Sequence, residues 1–554
     1  MTNRLIYLPL GGAGEIGMNC YVYGYGQKNQ ERYIIADVGV TFPNNDTSPG
    51  VDLIMADPSF ILERKDRVDA VFITHAHEDH VGALGMLMRE LGDVPVFARS
   101  FTAEIARGKM ERFGQDRKQV VTVGSYPEAI DAGDFKVSFV PISHSIPEAS
   151  ALLIEVDGKR ILHTGDFKVD RTPLVGEAFD DEMFKVIGEK GVDALICDST
   201  NVFSTNEGRS EATLTDPIHG FLANCKGLVV ATTFASNVAR VRTLAQAGVR
   251  AGREVILVGR SMDNMVSTSH KTKVLSDMPK VLDAEDFDPK KRNKTLVICT
   301  GSQGEYRAAS GWLSRGGYMG ISMKEGDTFL FSSKVIPGNE RSVGIILNDL
   351  ARQGVDVVYN DDNFHVSGHA NQPDLLHMQN LVKPKCVVPM HGEYRHLRKL
   401  RNLSVDAGYQ SVIAPNGTMI EFNEKGVQVA DEIETGRMFL DGKIMVGTAD
   451  GIVRTRLHMA QNGHISVLIQ VAADGKTVEP AWVMLAGLAE RDIDATDIAS
   501  AIEEDLDKEL SKMGPKNLRD DDQIEGLVVK ISKRASNSFY AKKPQITVFI
   551  SRFE

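Results

Sequence analysis

Short apolar runs separated by Gly, Pro and Asp fill the first 200 residues: RLIYLPL, CYVYGYG, RYIIADVGV, DAVFITH, VPVFA, FKVSFVPISH, SALLIEV, KRILHTGD and VDALICD. Their length and their Val, Ile, Tyr and Phe content predict strands. Between some of them lies helical spacing, as in VGALGMLMRELG. His, Asp and Ser recur where the apolar runs end, and strand ends gathered at one edge are where sheet proteins build sites. Near residue 205 the pattern changes. From 206 to 364 helix and strand alternate: GLVVATTF, a helix from about Val238, REVILVG, KTLVICTG, DTFLFSSKVI and a helix from near Asn339. That alternation predicts a separate parallel sheet. The strand-plus-histidine style returns at about 365–445 with HVSGHA and KCVVPMHGEY, so the simplest account is an α/β domain inserted into another. After the charged stretch DEIETGRMFLDGK, a smaller α/β unit is expected, with strands HISVLIQVA, AWVMLAGL, GLVVKIS and QITVFISRF and a helix around TDIASAIEEDLDKEL. The expected organisation is 1–205 and 365–447 as two parts of one domain, 206–364 as the insertion, and 448–554 as the C-terminal domain.

Length agrees with several domains: 554 residues exceed the roughly 100–200 of a single core. No apolar stretch approaches the roughly 18 residues of a membrane span, and the N-terminus lacks an apolar secretion signal. The five cysteines form no CxxC pair, which argues against a disulfide framework and a thiolate zinc knuckle and fits a reducing cytosol. A soluble cytoplasmic protein is expected, with no membrane partner. The net charge of −12 does not by itself suggest a nucleic-acid binder. A substrate channel needs basic residues only along its walls, so the whole-surface sum decides little.

The strongest chemical signal is Thr74-His75-Ala76-His77-Glu78-Asp79-His80, between an apolar strand and a helical pattern. Three histidines and an aspartate within six residues at such a turn can face one cavity, and imidazole and carboxylate suit zinc at about 2.0–2.2 Å. Further donors end later strands: His144 closes FVPISH, Asp166 closes RILHTGD and His391 closes CVVPMH. Singly each reads as structural. With the HxHxDH turn they make seven donors, more than the four of a closed site, which implies two metals bridged by Asp166. Gly12-Ala13-Gly14-Glu15-Ile16-Gly17 fits GxGxxG, with Asp37 at dinucleotide spacing. The following MNCYVYGYG reads as a strand, so the helix that a dinucleotide site requires is missing.

HAHEDH resembles the HxHxDH signature of the metallo-β-lactamase superfamily, and the insertion resembles the β-CASP domain of its nucleic-acid-processing branch. LGGAGEIGMN, DSTN (198–201), FASN (234–237), TGSQGE (300–305), SSKVIPGNE (332–340), HVSGHA (365–370) and PMHGEY (389–394) resemble segments of the ribonuclease J family. The resemblance implies an α/β fold: a metallo-β-lactamase αββα sandwich, an inserted β-CASP α/β domain and a small C-terminal α/β domain. It implies two zinc ions, with manganese or magnesium as substitutes in vitro. One would be held by His75, His77 and His144, the other by Asp79, His80 and His391, with Asp166 and a hydroxide between them. Asp37 and Asp198 would orient ligands, although alone Asp37 reads equally well as a turn residue. His369, Asp79 and Asp166 form the implied catalytic set, with His369 as general acid. His365, Val366, Ser367, Gly368 and His369, together with Ala235, Ser236 and Asn237, would hold substrate phosphate. From its local residues alone, the HVSGHA loop reads as a satisfied turn. His163, one step before TGD, is expected to be a core histidine or one standing behind a ligand, and not a ligand itself.

The implied activity is 5′-to-3′ hydrolysis of 5′-monophosphorylated single-stranded RNA in RNA maturation and decay, with endonucleolytic cleavage left open. A homo-oligomer, dimer or tetramer, is implied as well. Three alternatives share the fold: a hydrolase of small esters, thioesters or lactams, a scaffold that has lost its metals, and a DNA nuclease. The large insertion and HVSGHA disfavour the first, and seven intact donors disfavour the second. RNA and DNA are separated by contacts to the 2′-hydroxyl, which sequence does not display.

Overall fold

The computed structural model describes residues 3–336, 338–423, 426–476 and 478–554, and the chain divides into two compact units. The larger comprises residues 1–41 and 55–437, the smaller 42–54 and 438–554.

Two sheets face each other in the larger unit. One has eight strands, in the order Gly426–Glu432, Thr418–Asn423, Arg4–Gly11, Cys20–Gly26, Arg32–Ala36, Val68–Phe72, Val96–Ala98 and Val120–Thr122. The other has seven: Ile130–Ala132, Phe135–Pro141, Ser150–Val156, Lys159–His163, Ala194–Asp198, Cys386–Met390 and Gln410–Ser411. Tyr7, Tyr23, Ile34 and Phe72 of the first sheet share one buried core with Phe135, Phe139, Leu152, Ile161, Ile196 and Val388 of the second. Helices Leu84–Leu91 and Ser100–Arg112 pack together in the first half, and Asp181–Glu189 against Gln372–Val382 in the second. This is the αββα sandwich.

Strand direction positions the site. Phe135–Pro141 and Lys159–His163 are both antiparallel to Ser150–Val156, so they run the same way. Ala194–Asp198 and Cys386–Met390 continue that direction, parallel to Lys159–His163, with Asp198 opposite Met390. In the other sheet Arg32–Ala36 runs parallel to Val68–Phe72. Each of the first four delivers a candidate donor at its C-terminal end, and the last two deliver Asp37 and the HAHEDH turn.

Between Val229 and Val358 five strands make an all-parallel sheet in the order Glu254–Val258, Thr295–Cys299, Val229–Thr232, Thr328–Phe331 and Asp356–Val358. One face of this sheet packs on Leu214, Leu244, Met262, Phe364 and Val366, the other on Leu313, Val343 and Leu350. The fully buried Arg240 pairs with Glu211 and donates to the carbonyls of Ser332 and Phe364. A buried charge of this kind is tolerated only when paired and hydrogen-bonded.

The smaller unit carries a three-stranded sheet, Trp482–Ala486, His464–Ala472 and Gln545–Phe553, packed on helices Ile498–Leu510 and Asp521–Tyr540. One expected strand is corrected here: GLVVKIS lies inside the helix Asp521–Tyr540. Its β-branched run suggested a strand. However, Ile524, Val528, Ile531 and Ala535 recur at three- and four-residue spacing and form the buried stripe, and Asp520 caps the helix by accepting from the amides of Asp522 and Gln523.

Candidate metal centre

After the strand Val68–Phe72 the chain runs extended through Thr74 to His77, then enters the turn of helix Glu78–Val81. Three overlapping donor groups result: His75, His77, His144 and Asp166; Asp79, His80, Asp166 and His391; and Asp166, Asp198, His369 and His391. Within each, the donor atoms lie within 4.8 Å of one another, and Asp166 belongs to all three. All seven expected ligands therefore come together, from segments more than 300 residues apart.

The spacing fits metal ions. His77 Nδ1 stands 3.0 Å from both His75 Nε2 and His144 Nε2. Nitrogens each about 2.0–2.1 Å from a tetrahedral zinc would stand about 3.3 Å apart. On the other side Asp166 Oδ2 lies 3.2 Å from His80 Nε2, and His391 Nε2 lies 3.2 Å from Asp79 Oδ2. His391 Nε2 is buried and, apart from this approach to the Asp79 carboxylate, makes no hydrogen bond. An all-imidazole-and-carboxylate set of this kind suits zinc.

Three of the imidazoles are fixed by what their other nitrogen touches. Thr74 Oγ1 lies 3.0 Å from His75 Nδ1, and the Gly368 carbonyl 2.6 Å from His144 Nδ1. Asp37 Oδ2 lies 2.7 Å from His80 Nδ1. An Nδ1–H donated outward leaves Nε2 with its lone pair facing the cavity. Gly368 must be glycine for this approach, since a Cβ would stand 2.6 Å from Ser145 Oγ and 3.0 Å from His144 Cε1. Asp37 also accepts from the Thr74 amide and hydroxyl, both at 2.8 Å. Asp37 (φ 62°) and His391 (φ 47°) hold left-handed backbone, uncommon outside glycine and maintained here by the surrounding structure.

Burial keeps His75 and His144 far below the usual histidine range and takes His77 down to about 4. At neutral pH these three are uncharged, as ligands must be. Burial also opposes the charged forms of His80 and His391, but Asp166 and Asp79 outweigh it, and His391 is pushed up to about 10. His369 behaves alike: burial is overcome by Asp198 and Asp166, which raise its affinity for a proton. Its Nδ1 lies 2.8 Å from Asp198 Oδ2, while Nε2 faces Asp166 Oδ2 at 3.9 Å.

The phosphate candidates present a mixed picture. Ser367 Oγ accepts from the His369 amide, and Val366 packs in the core of the inserted sheet, against which Ala235 also lies. Asn237 caps helix Val238–Arg250 by accepting from the Arg240 amide, so its carbonyl oxygen is already engaged; Ser236 lies partly exposed beside it. His365 Nδ1 is buried without a hydrogen-bond partner. His163 bonds Tyr23 within the core. Thr74, Thr200, Tyr21 and Asn19 escaped sequence reasoning. Thr200 Oγ1 donates to the His391 carbonyl at 2.9 Å, and Asn19 lies against Asp79 and His80. The only signal they offered was that Thr200 and Asn19 fall inside the DSTN and GEIGMN motifs, while Thr74 and Tyr21 stand beside HAHEDH and GEIGMN.

Comparison with known proteins matches four family models: a β-lactamase superfamily domain over 45–219, a ribonuclease J β-CASP domain over 226–350, a Zn-dependent metallo-hydrolase RNA specificity domain over 354–415 and a ribonuclease J C-terminal domain over 451–553. A ribonuclease J of Sinorhizobium meliloti is 36% identical over 552 residues, covering 99% of this chain and 97% of that protein. A ribonuclease J of Mycolicibacterium smegmatis is 33% identical over 546 residues, covering 97% and 95%. A crystal structure of an Enterococcus faecalis protein of unknown function shares the fold, with TM-score 0.51 at 18% identity over 76% of this chain and all of that one. With its metal-donor edge, its inserted parallel sheet and relatives matched from end to end, this chain belongs to the ribonuclease J family.

Proposed function

We propose that this metal-dependent ribonuclease holds two zinc ions and digests 5′-monophosphorylated single-stranded RNA from the 5′ end. The observation that carries the reading is the pair of donor groups on either side of Asp166, with His369 beside them. In this reading His75, His77 and His144 would hold one ion and Asp79, His80 and His391 the other, with Asp166 contributing to each. Bound there, divalent ions would make a coordinated water far more acidic, toward neutral pH, and would offset charge on the phosphoryl oxygens.

The remaining steps belong to the chain. Asp79 and Asp166 orient the attacking water toward phosphorus. His369 carries its proton on Nε2, because Asp198 holds Nδ1 and neighbouring carboxylates favour the charged ring. It delivers that proton to the 3′ oxygen as the P–O3′ bond breaks. The released nucleotide keeps a 3′-hydroxyl, and the shortened chain gains a 5′-phosphate ready for the next cycle.

The Ser236 and 365–369 segments then accept the 5′-phosphate, with His365 Nδ1 as an unengaged polar atom in that loop. The inserted sheet and HVSGHA favour a polynucleotide over a small ester. The same reading carries a homo-oligomer in the cytoplasm, which sedimentation and cell fractionation test. The specificity is tested on one RNA sequence bearing a 5′-monophosphate, 5′-triphosphate or 5′-hydroxyl, with a matched DNA alongside. The monophosphate RNA should release nucleotides successively. The triphosphate should be poor because the extra groups do not fit, and the hydroxyl should lose about 1–3 kcal/mol per donor left unpaired. Equal rates at all three ends, with internal fragments as the main product, would identify an endonuclease instead.

A further inference from the structure

The glycine-rich loop 11–19 joins Arg4–Gly11 to Cys20–Gly26 and has no helix to receive a dinucleotide. Its last residue nevertheless reaches the metal centre. Asn19 is fully buried, and its backbone amide donates to the Asp79 carbonyl at 3.0 Å. Its side-chain amide donates to the same carbonyl at 3.0 Å and stands 3.0 Å from His80 Nε2 and 3.5 Å from Asp79 Oδ2. Tyr21 donates its hydroxyl to Asn19 Oδ1 at 2.7 Å, which fixes which end of the amide faces Asp79.

The surrounding glycines are shaped to this placement. A Cβ at Gly12 would stand 2.2 Å from Asn19 Oδ1 and 2.5 Å from the Tyr21 hydroxyl. A Cβ at Gly39 would stand 1.6 Å from the Asp79 carbonyl oxygen. Gly39 in turn donates its amide to the Asn19 carbonyl at 2.9 Å, and Val38 donates to the His80 carbonyl at 2.7 Å. Two strand ends thus close on the peptides of Asp79 and His80, and Asn19 is the side chain at the closure. Among the described residues it bonds none of His75, His77 or His144.

We propose that Asn19 is a positioning residue for the Asp79, His80 and His391 side of the centre, oriented by Tyr21 and without effect on the three-histidine side. One of its two amide protons is committed to the Asp79 carbonyl. The other lies between His80 Nε2 and Asp79 Oδ2, so once the His80 lone pair is taken by an ion, Asp79 Oδ2 remains as its acceptor. Asn19 therefore sets the direction of one ligand and the backbone of two. The inference rests on the two-ion reading above.

The test is a calorimetric zinc titration of the metal-stripped full chain, comparing wild type, Asn19→Ala and Tyr21→Phe, with the unfolding midpoint of the metal-free protein measured alongside. Wild type should bind two ions. Asn19→Ala should weaken one site by about 10–100-fold, the range for residues that orient metal ligands, and leave the other unchanged. Tyr21→Phe should weaken the same site less, and it decides the matter if Asn19→Ala does not fold. In a His77→Ala background, which disables the three-histidine side, Asn19→Ala should remove the remaining tight site. Two wild-type sites that both survive Asn19→Ala unchanged, or that weaken together in step with a fallen unfolding midpoint, would overturn the inference. A wild type that binds a single ion would instead overturn the two-ion reading.

Discussion

The two sides of Asp166 are built differently. On one side three histidines face inward, and the outward nitrogens of two of them rest on a hydroxyl and a backbone carbonyl, Thr74 Oγ1 for His75 and Gly368 O for His144. Burial, helped by the neighbouring histidines, keeps these imidazoles neutral. On the other side carboxylates do the orienting. Asp37 holds His80, Asp166 Oδ1 lies 2.6 Å from His391 Nδ1, and both Asp37 and His391 sit in left-handed backbone. The first side is a neutral cage shaped by its surroundings. The second is a charged cluster that depends on individual side chains and stored backbone strain. The second side should therefore be the more sensitive to single substitutions.

The largest expected effect is that of Asp79→Ala combined with His80→Ala. It should abolish RNA cleavage while the circular dichroism spectrum stays that of the native fold. A double variant that still cleaves would show that the charged side is dispensable.

Next comes His369→Ala, which should lower kcat by about 10²–10⁴-fold, the usual worth of a general acid. Metal content should stay near two per chain. Because His369 also belongs to a donor group with Asp166, Asp198 and His391, the variant sharpens the comparison. If it loses zinc instead of rate, His369 is a ligand and the charged side extends beyond Asp79, His80 and His391.

Smaller effects separate the orienting groups. Asp37→Asn should cost about 10–100-fold in metal affinity, since the carboxylate fixes both the tautomer and the direction of His80. Thr74→Val should cost less, because His75 stays buried between His77, His80 and His144 and keeps its place by packing. Equal losses in zinc titrations of the two variants would erase the distinction between the sides.

Legibility in the sequence follows the same division. HAHEDH is a local motif, and His144, Asp166 and His391 each end an apolar run, so periodicity and strand-end position mark all of them. The parallel sheet of the insertion was readable from helix–strand alternation. Asn19 and Thr200 were not, because their roles arise only where segments 60 and 191 residues apart meet. Asn237 illustrates the opposite limit: its FASN motif is plain, yet its side-chain oxygen is spent on a helix cap. The helix across GLVVKIS shows tertiary burial overriding local β preference, since a 20-residue capped helix buries one stripe of that segment against the sheet.

The central claim is that two ions sharing Asp166 carry out RNA cleavage. The most direct measurement is to strip the metal with a chelator, then restore zinc stepwise while following cleavage of a 5′-monophosphorylated RNA. The account predicts no cleavage without metal, and full recovery only as the second equivalent binds. Undiminished cleavage by the stripped, chelated protein would contradict it.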